Sequence, residues 1–122
     1  MPRILLIDDD DAYVTMLRTS LEDRGHVIAV AGDGNAGITS FRSRKFDLVI
    51  TDILMPKKDG VETIIELRRI DPTVRIIAIS GGGHLVPAQN CIQIARSLGV
   101  HTALEKPFSV DTLQACIAAE LA

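Results

Sequence analysis

Five short runs of aliphatic, largely β-branched residues recur along the chain: Ile4 to Ile7, Val27 to Val30, Leu48 to Thr51, Ile76 to Ser80, and a weaker one at Thr102 to Leu104. Runs that are apolar at consecutive positions suit strands covered on both faces, as in a parallel sheet packed between helices. The intervening segments have helical spacing. Val14, Leu17 and Leu21 recur three and four apart, and Gly25 supplies a C-terminal stop. Ile38 and Phe41 mark a second helix. Val61, Ile64, Ile65 and Leu67 mark a third, which must end before Asp71-Pro72 because the residue before proline is pushed out of helical geometry. Ile92, Ala95 and Leu98 mark a fourth, closed by Gly99, and Val110, Leu113, Ile117 and Leu121 a fifth, with Ser109 as its N-cap.

Strand and helix alternating through short connections imply right-handed crossovers. The expected fold is a single α/β domain of (βα)5 type: a doubly wound, five-stranded parallel sheet flanked by helices on both faces. A chain of 122 residues and 13.2 kDa has room for one core of ordinary size, so residues 1–122 read as one domain with no effector domain beside it. The formal charge is -3 and the basic residues are scattered, which argues against a direct grip on nucleic acid. Lys57-Lys58 and Arg68-Arg69 read as solvated surface. Cys91 and Cys116 lie in apolar segments without metal-ligand spacing, which points to buried reduced thiols in a cytoplasmic protein. The N-terminus reaches a charged run after a handful of apolar residues, so neither a signal peptide nor a membrane span is expected.

In open parallel sheets, ligands gather outside the carboxyl ends of the strands. Here the first strand runs into Asp8-Asp9-Asp10-Asp11, the third ends at Thr51-Asp52, the fourth at Ser80-Gly81, and the fifth at Glu105-Lys106-Pro107. Several carboxylates converging on one rim repel one another unless they share a hard cation. A magnesium site follows, and because magnesium favours one or two carboxylates plus phosphate oxygens, so does a phosphoryl ligand. The ion and a lysine together neutralise the equatorial oxygens in transfer to a carboxylate nucleophile.

The segment from Asp52 through Met55-Pro56 to Asp59-Gly60 resembles the phospho-acceptor loop of response regulator receiver domains of two-component systems, particularly the chemotaxis type. Asp8-Asp9, Ser80 and Lys106-Pro107-Phe108 fall in the matching order, so the resemblance covers essentially the whole chain. It implies the flavodoxin-like strand order 2-1-3-4-5. It also implies that Asp52 is the phosphorylated nucleophile. Magnesium would be held by Asp9, Asp52 and the main-chain carbonyl of Leu54, with Asp8 acting mainly through bound water. Ser80 would hydrogen-bond the phosphoryl group, and Lys106, aimed by a cis-proline turn, would pair with its oxygens. The implied donor is a sensor histidine kinase or histidine phosphotransfer protein. The implied output is a switched surface on the fourth helix, fifth strand and fifth helix that binds a downstream protein. On this reading the protein is a signalling switch that catalyses its own phosphoryl transfer and autodephosphorylation, either standing alone or as the receiver portion of a longer protein.

Two departures from that pattern stand out. Ala103 occupies the position, three before the lysine, where receivers often place an aromatic. The stretch from Ser80 to Lys106 is a few residues longer than in the chemotaxis type and opens on Gly81-Gly82-Gly83-His84, which predicts a reshaped loop. That glycine run lacks the Lys-Ser/Thr of a phosphate-binding P-loop. His26, His84 and His101 are isolated in sequence and read as structural or exposed; Asp10 or Asp11 reads as the cap of the first helix. The fifth helix has few charges, so one face is a candidate contact surface, but without the charged residues of the usual receiver dimer. A metal-dependent phosphohydrolase competes through Asp8-x-Asp10, but that leaves Asp52 and its loop unexplained. A receiver-shaped module that is never phosphorylated leaves the acidic pair and Lys106 without a purpose.

Overall fold

The computed structural model describes residues 2–53, 60–80, 88–100 and 102–122, without the side chains of 88–92. In chain order the elements are β1 (Arg3–Ile7), α1 (Asp11–Asp23), β2 (Val27–Ala31), α2 (Gly34–Ser43), β3 (Leu48–Asp52), α3 (Gly60–Ile70), β4 (Ile76–Ser80), α4 (Ala88–Ser97), β5 (Thr102–Glu105) and α5 (Val110–Leu121). The five strands form one parallel sheet in the order β2-β1-β3-β4-β5. Both the doubly wound fold and the strand order are as expected from the sequence.

Alternation along each strand sends neighbouring side chains into opposite layers. Leu5, Ile7, Val49, Ile76 and Ala78 join Ile38, Ile64, Leu67 and Ala95 in the layer of α2, α3 and α4. Ile4, Leu6, Leu48, Ile50, Ile77 and Ile79 join Val14, Leu17 and Leu21 of α1 and Leu113 and Ile117 of α5 on the other face. The central strands β3 and β4 are buried at every residue, whereas β5, with a neighbour on one side only, is half-covered and ends exposed. That is why its sequence signal is the weakest.

The helix ends follow from local chemistry. Asp10, rather than Asp11, caps α1 by accepting from the Tyr13 N–H at 3.1 Å. Asp33 caps α2 through the Ala36 N–H at 2.8 Å, and Ser109 caps α5 through the Thr112 N–H at 3.1 Å. Gly25 and Gly99 follow α1 and α4 with φ of 91° and 85°, the left-handed region where glycine carries no steric penalty.

Three sequence expectations need correction. Ile65 does not join the buried stripe of α3; Gly60, Thr63, Ile64 and Leu67 do, and Ile65 lies about 100° from Ile64 on the solvent side. Arg68 is not simply solvated: it is half-buried and donates through Nη2 to the Gly99 carbonyl at 2.9 Å, bracing the turn after α4. The Cys116 thiol is half-buried rather than buried, and the Cys91 side chain lies outside the described residues. Lys57-Lys58, Gly81-Gly82-Gly83-His84 and His101 also lie outside them. Among the described residues no helix is long and apolar enough to cross a membrane.

One contact fixes α3 relative to the end of β3. The Gly60 N–H donates to the Ile53 carbonyl at 2.7 Å. A Cβ on Gly60 would collide with the Asp52 carbonyl and the Ile53 Cα, and would come within 2.8 Å of the Ile53 oxygen. These are backbone atoms, which cannot swing aside as a side chain does. Gly60→Ala is therefore expected to lower unfolding free energy by about 2 kcal/mol, within the usual range for overpacking. A urea melt of the two proteins checks this, and equal midpoints would refute the tight approach.

Candidate functional site

The rigid sheet brings four strand ends to one rim. Ile7 pairs with Thr51, so Asp8 and Asp52 leave neighbouring strands at the same level. Ser80 pairs with Glu105, and the Lys106 N–H donates to the Ser80 carbonyl at 2.8 Å, so Lys106 starts from the same edge. The Lys106-Pro107 bond is cis, as the resemblance implied.

Asp8 is 1% exposed and Asp52 6%, while Asp9 is open to solvent. The Asp8 backbone is tied to β2 by its N–H on the Ala31 carbonyl at 3.1 Å, and its Oδ1 accepts from the Asp10 N–H at 3.0 Å. Its Oδ2 accepts from Lys106 Nζ at 3.2 Å, and Asp52 Oδ2 lies 3.5 Å from the same ammonium. One cation thus lies between two carboxylates that burial would otherwise penalise. Carboxylate oxygens of Asp8, Asp9 and Asp52 all lie within 4.8 Å of one another. Unit charges about 4 Å apart interact by about 4 kcal/mol at an effective dielectric constant near 20, so three carboxylates this close favour sharing a cation of higher charge. The donor set is all oxygen, anionic and partly open to solvent, which fits a hard divalent cation such as magnesium that keeps part of its water shell. Asp8, Asp9, Asp52 and Lys106 therefore lie together, Ser80 ends its strand beside the Lys106 backbone, and the Leu54 carbonyl lies outside the described residues.

Ser80 is fully buried, and its hydroxyl has no hydrogen-bond partner among the described residues. Such an orphan costs free energy with no return in the fold itself. His26 is structural: it is buried beside α5, with Nε2 2.8 Å from Gln114 Oε1. Ala103 packs into the α2–α3–α4 layer, so no aromatic ring approaches Lys106 from that position.

Sequence reasoning missed Tyr13. Its ring lies beneath Lys106 with Nζ 4.2 Å from the centroid, and it meets Phe108 edge to face at 6.1 Å. A signal was present: Tyr13 extends the Leu17 and Leu21 stripe of α1 by one more step of four, which carries it to the strand-end rim. Burial, then the negative charges of Asp8, Asp52 and Asp10, push the Tyr13 hydroxyl up from 10.0 to about 12. A group that holds its proton more tightly when folded contributes stability present below its unfolded pKa and lost as pH rises through the folded one. Tyr13 is the only tyrosine, and there is no tryptophan. Tyrosinate absorbance should therefore stay flat through pH 10 and rise near pH 12, with stability falling across that window. A midpoint at the ordinary phenol value in the folded protein would refute this environment.

Residues 4–118 match the family described as the response regulator receiver domain. A response regulator receiver protein of Anaeromyxobacter sp. is 34% identical over 113 residues, covering 93% of this chain and 46% of that protein. The transcriptional regulatory protein ZraR of Escherichia coli O157:H7 is 30% identical over 119 residues, covering 98% of this chain and 26% of that protein. The chain thus spans between a quarter and a half of the length of these curated relatives. Among solved structures, a receiver domain protein of Clostridium thermocellum superposes with a TM-score of 0.88 at 29% identity, covering 99% of this chain and 94% of that one. The response regulator TrrA of Thermotoga maritima, solved in complex with Mg2+-BeF, gives a TM-score of 0.86 at 28% identity, covering 99% and 100%. Receiver domains of this kind are signalling switches that accept phosphoryl groups, with histidine kinases as their donors. The chain belongs to the response regulator receiver domain family of two-component systems.

Proposed function

We propose that Asp52 is the phosphoryl acceptor of this receiver and that Asp8, Asp9, Ser80 and Lys106 serve the transfer. The observation that carries the reading is the placement of one ammonium 3.2 Å from Asp8 and 3.5 Å from Asp52, beside a three-carboxylate cluster that fits one divalent ion. A carboxylate oxygen of Asp52 attacks the phosphorus of a phosphohistidine on a sensor kinase or phosphotransfer protein. The P–O bond to Asp52 forms as the P–N bond breaks, and the imidazole leaves. Lys106 pairs with a phosphoryl oxygen, and the Ser80 hydroxyl donates to another, gaining a partner it lacks among the described residues. Attack of water on the acyl phosphate later returns the carboxylate and releases inorganic phosphate.

Asp8, Asp9 and Asp52, with the main-chain carbonyl of Leu54, are the residues we assign to magnesium, in keeping with the Mg2+-BeF complex of the Thermotoga relative. The ion when bound supplies charge neutralisation for the incoming phosphoryl oxygens. Asp8 already spends one oxygen on Lys106 and the other on the Asp10 N–H, which supports a role through bound water, whereas exposed Asp9 is open to direct ligation.

Residues 1–122 act as one receiver unit in the cytoplasm, alone or within a longer protein, and the α4-β5-α5 surface is its output. Half-buried Cys116 as a free thiol accords with a reducing compartment. The acidic balance of the domain supports a protein target for this surface rather than nucleic acid. The curated transcriptional relatives extend well beyond the matched region, so any DNA-directed function would belong to a separate part of the protein.

Incubation with acetyl phosphate and magnesium, followed by intact mass measurement, tests the assignment. One phosphoryl addition is expected for the wild type, none for Asp52→Ala, and none with the metal chelated. Full addition to Asp52→Ala would place the acceptor elsewhere.

A further inference from the structure

The Lys106 ammonium meets both two carboxylates and an aromatic face. The second contact is built by Tyr13, in the first turn of α1, and backed by the edge of Phe108. Lysine side chains are long, and two carboxylates at 3.2 and 3.5 Å leave the ammonium free to slide between them. A ring face 4.2 Å away limits that freedom, because the attraction of a cation to the quadrupole falls off away from the centroid. A leucine at the same place would fill the space beside the core without offering this face.

We propose that Tyr13 is a positioning residue for phosphoryl transfer: its ring holds the Lys106 ammonium at the place where an oxygen of the incoming phosphoryl group must meet it. This rests on the assignment of Asp52 and Lys106 above. The ring is also linked to the output side, because Phe108 immediately precedes Ser109, the cap of α5. A displacement of the ammonium on phosphorylation is therefore felt in the α1–α5 layer, the layer opposite to that of Ala103.

The test compares initial rates of magnesium-dependent phosphorylation by acetyl phosphate for wild type, Tyr13→Phe, Tyr13→Leu and Tyr13→Met. Tyr13→Leu and Tyr13→Met both remove the π face; carrying the second variant guards against poor folding of the first. Each is expected to be slowed roughly 3- to 10-fold, the range a partly desolvated cation–π contact implies, with Tyr13→Phe restoring the rate to within about twofold. Repeating the series on a Lys106→Met background should abolish the difference between Tyr13 and Leu. Independently of any donor, Lys106→Met should change the emission of Tyr13, the only tyrosine in a chain without tryptophan. Equal rates for wild type, Leu and Met variants overturn the inference while leaving the acceptor assignment standing, as does an equal slowing on the Lys106→Met background or an unchanged emission. A wild type that takes up no phosphoryl group overturns the acceptor assignment and the inference with it.

Discussion

The ammonium of Lys106 between Asp8 and Asp52 is the contact on which the site depends. Two carboxylates nearly withdrawn from water have few ways to remain ionised, and each has a cost. A buried charge without a partner is penalised by several kcal/mol, and a second like charge beside it adds to the penalty. A lysine from β5 reaching across the ends of β4 and β3 offsets part of this, and only a sheet with stiff, parallel strands can hold its stem and the two carboxylates in register. Replacing that lysine by a neutral side chain would remove a charge that both buried carboxylates share, which is why the site and the fold are coupled energetically as well as geometrically.

The same rim explains why β3 and α3 meet so closely. The carbonyls of Asp52 and Ile53 face the first residue of α3, where a Cβ has no room, so the helix packs directly onto the chain that presents the carboxylate. The Asp52 carboxylate is held at a fixed height relative to Asp8 through the Ile7–Thr51 pairing. On the proposed assignment of Asp52, placement of this kind would need little reorganisation as charge builds up there, which is the main physical requirement of electrostatic catalysis.

Much of this was legible in the sequence, and the parts that were not share a cause. Central strands such as Leu48–Asp52 and Ile76–Ser80 announce themselves because both faces are covered and every position is apolar until the end. The strand-end residues were legible for complementary reasons: Asp8 and Asp52 break an apolar run where a covered strand stops, and Lys106 is marked by its Pro-Phe continuation. Periodicity did less well for side chains that reach across elements. Ile65 looks apolar enough for the core but sits one residue out of phase with Ile64. Arg68 resembles a surface cation in one dimension, yet it braces Gly99, distant in sequence but adjacent in the fold. Tyr13 reads as one more member of the α1 stripe, and its meeting with Lys106, far along the chain, is a property of the closed fold alone.

The ties on α5 decide what a movement at Lys106 can do to the surface beyond it. At its start, Asp111 accepts from Arg24 at 2.6 Å, but that pair is open to water and contributes about 1 kcal/mol at most. The His26–Gln114 contact is part-buried, so its loss would strand polar groups away from solvent and it is the firmer of the two. At the other end, Glu120 accepts from Thr102 through its carboxylate at 2.7 Å and from Arg75 through its main-chain carbonyl at 2.6 Å. A helix held near both ends, with Leu113 and Ile117 fully buried between them, resists sliding along its axis. The end nearest Phe108, where the Ser109 cap adjoins the ring pair, is the less enclosed, its residues exposed or half-exposed. On the proposal that Tyr13 positions the ammonium, a movement of Lys106 would pass to α5 through two aromatic rings rather than through a rotamer on β5.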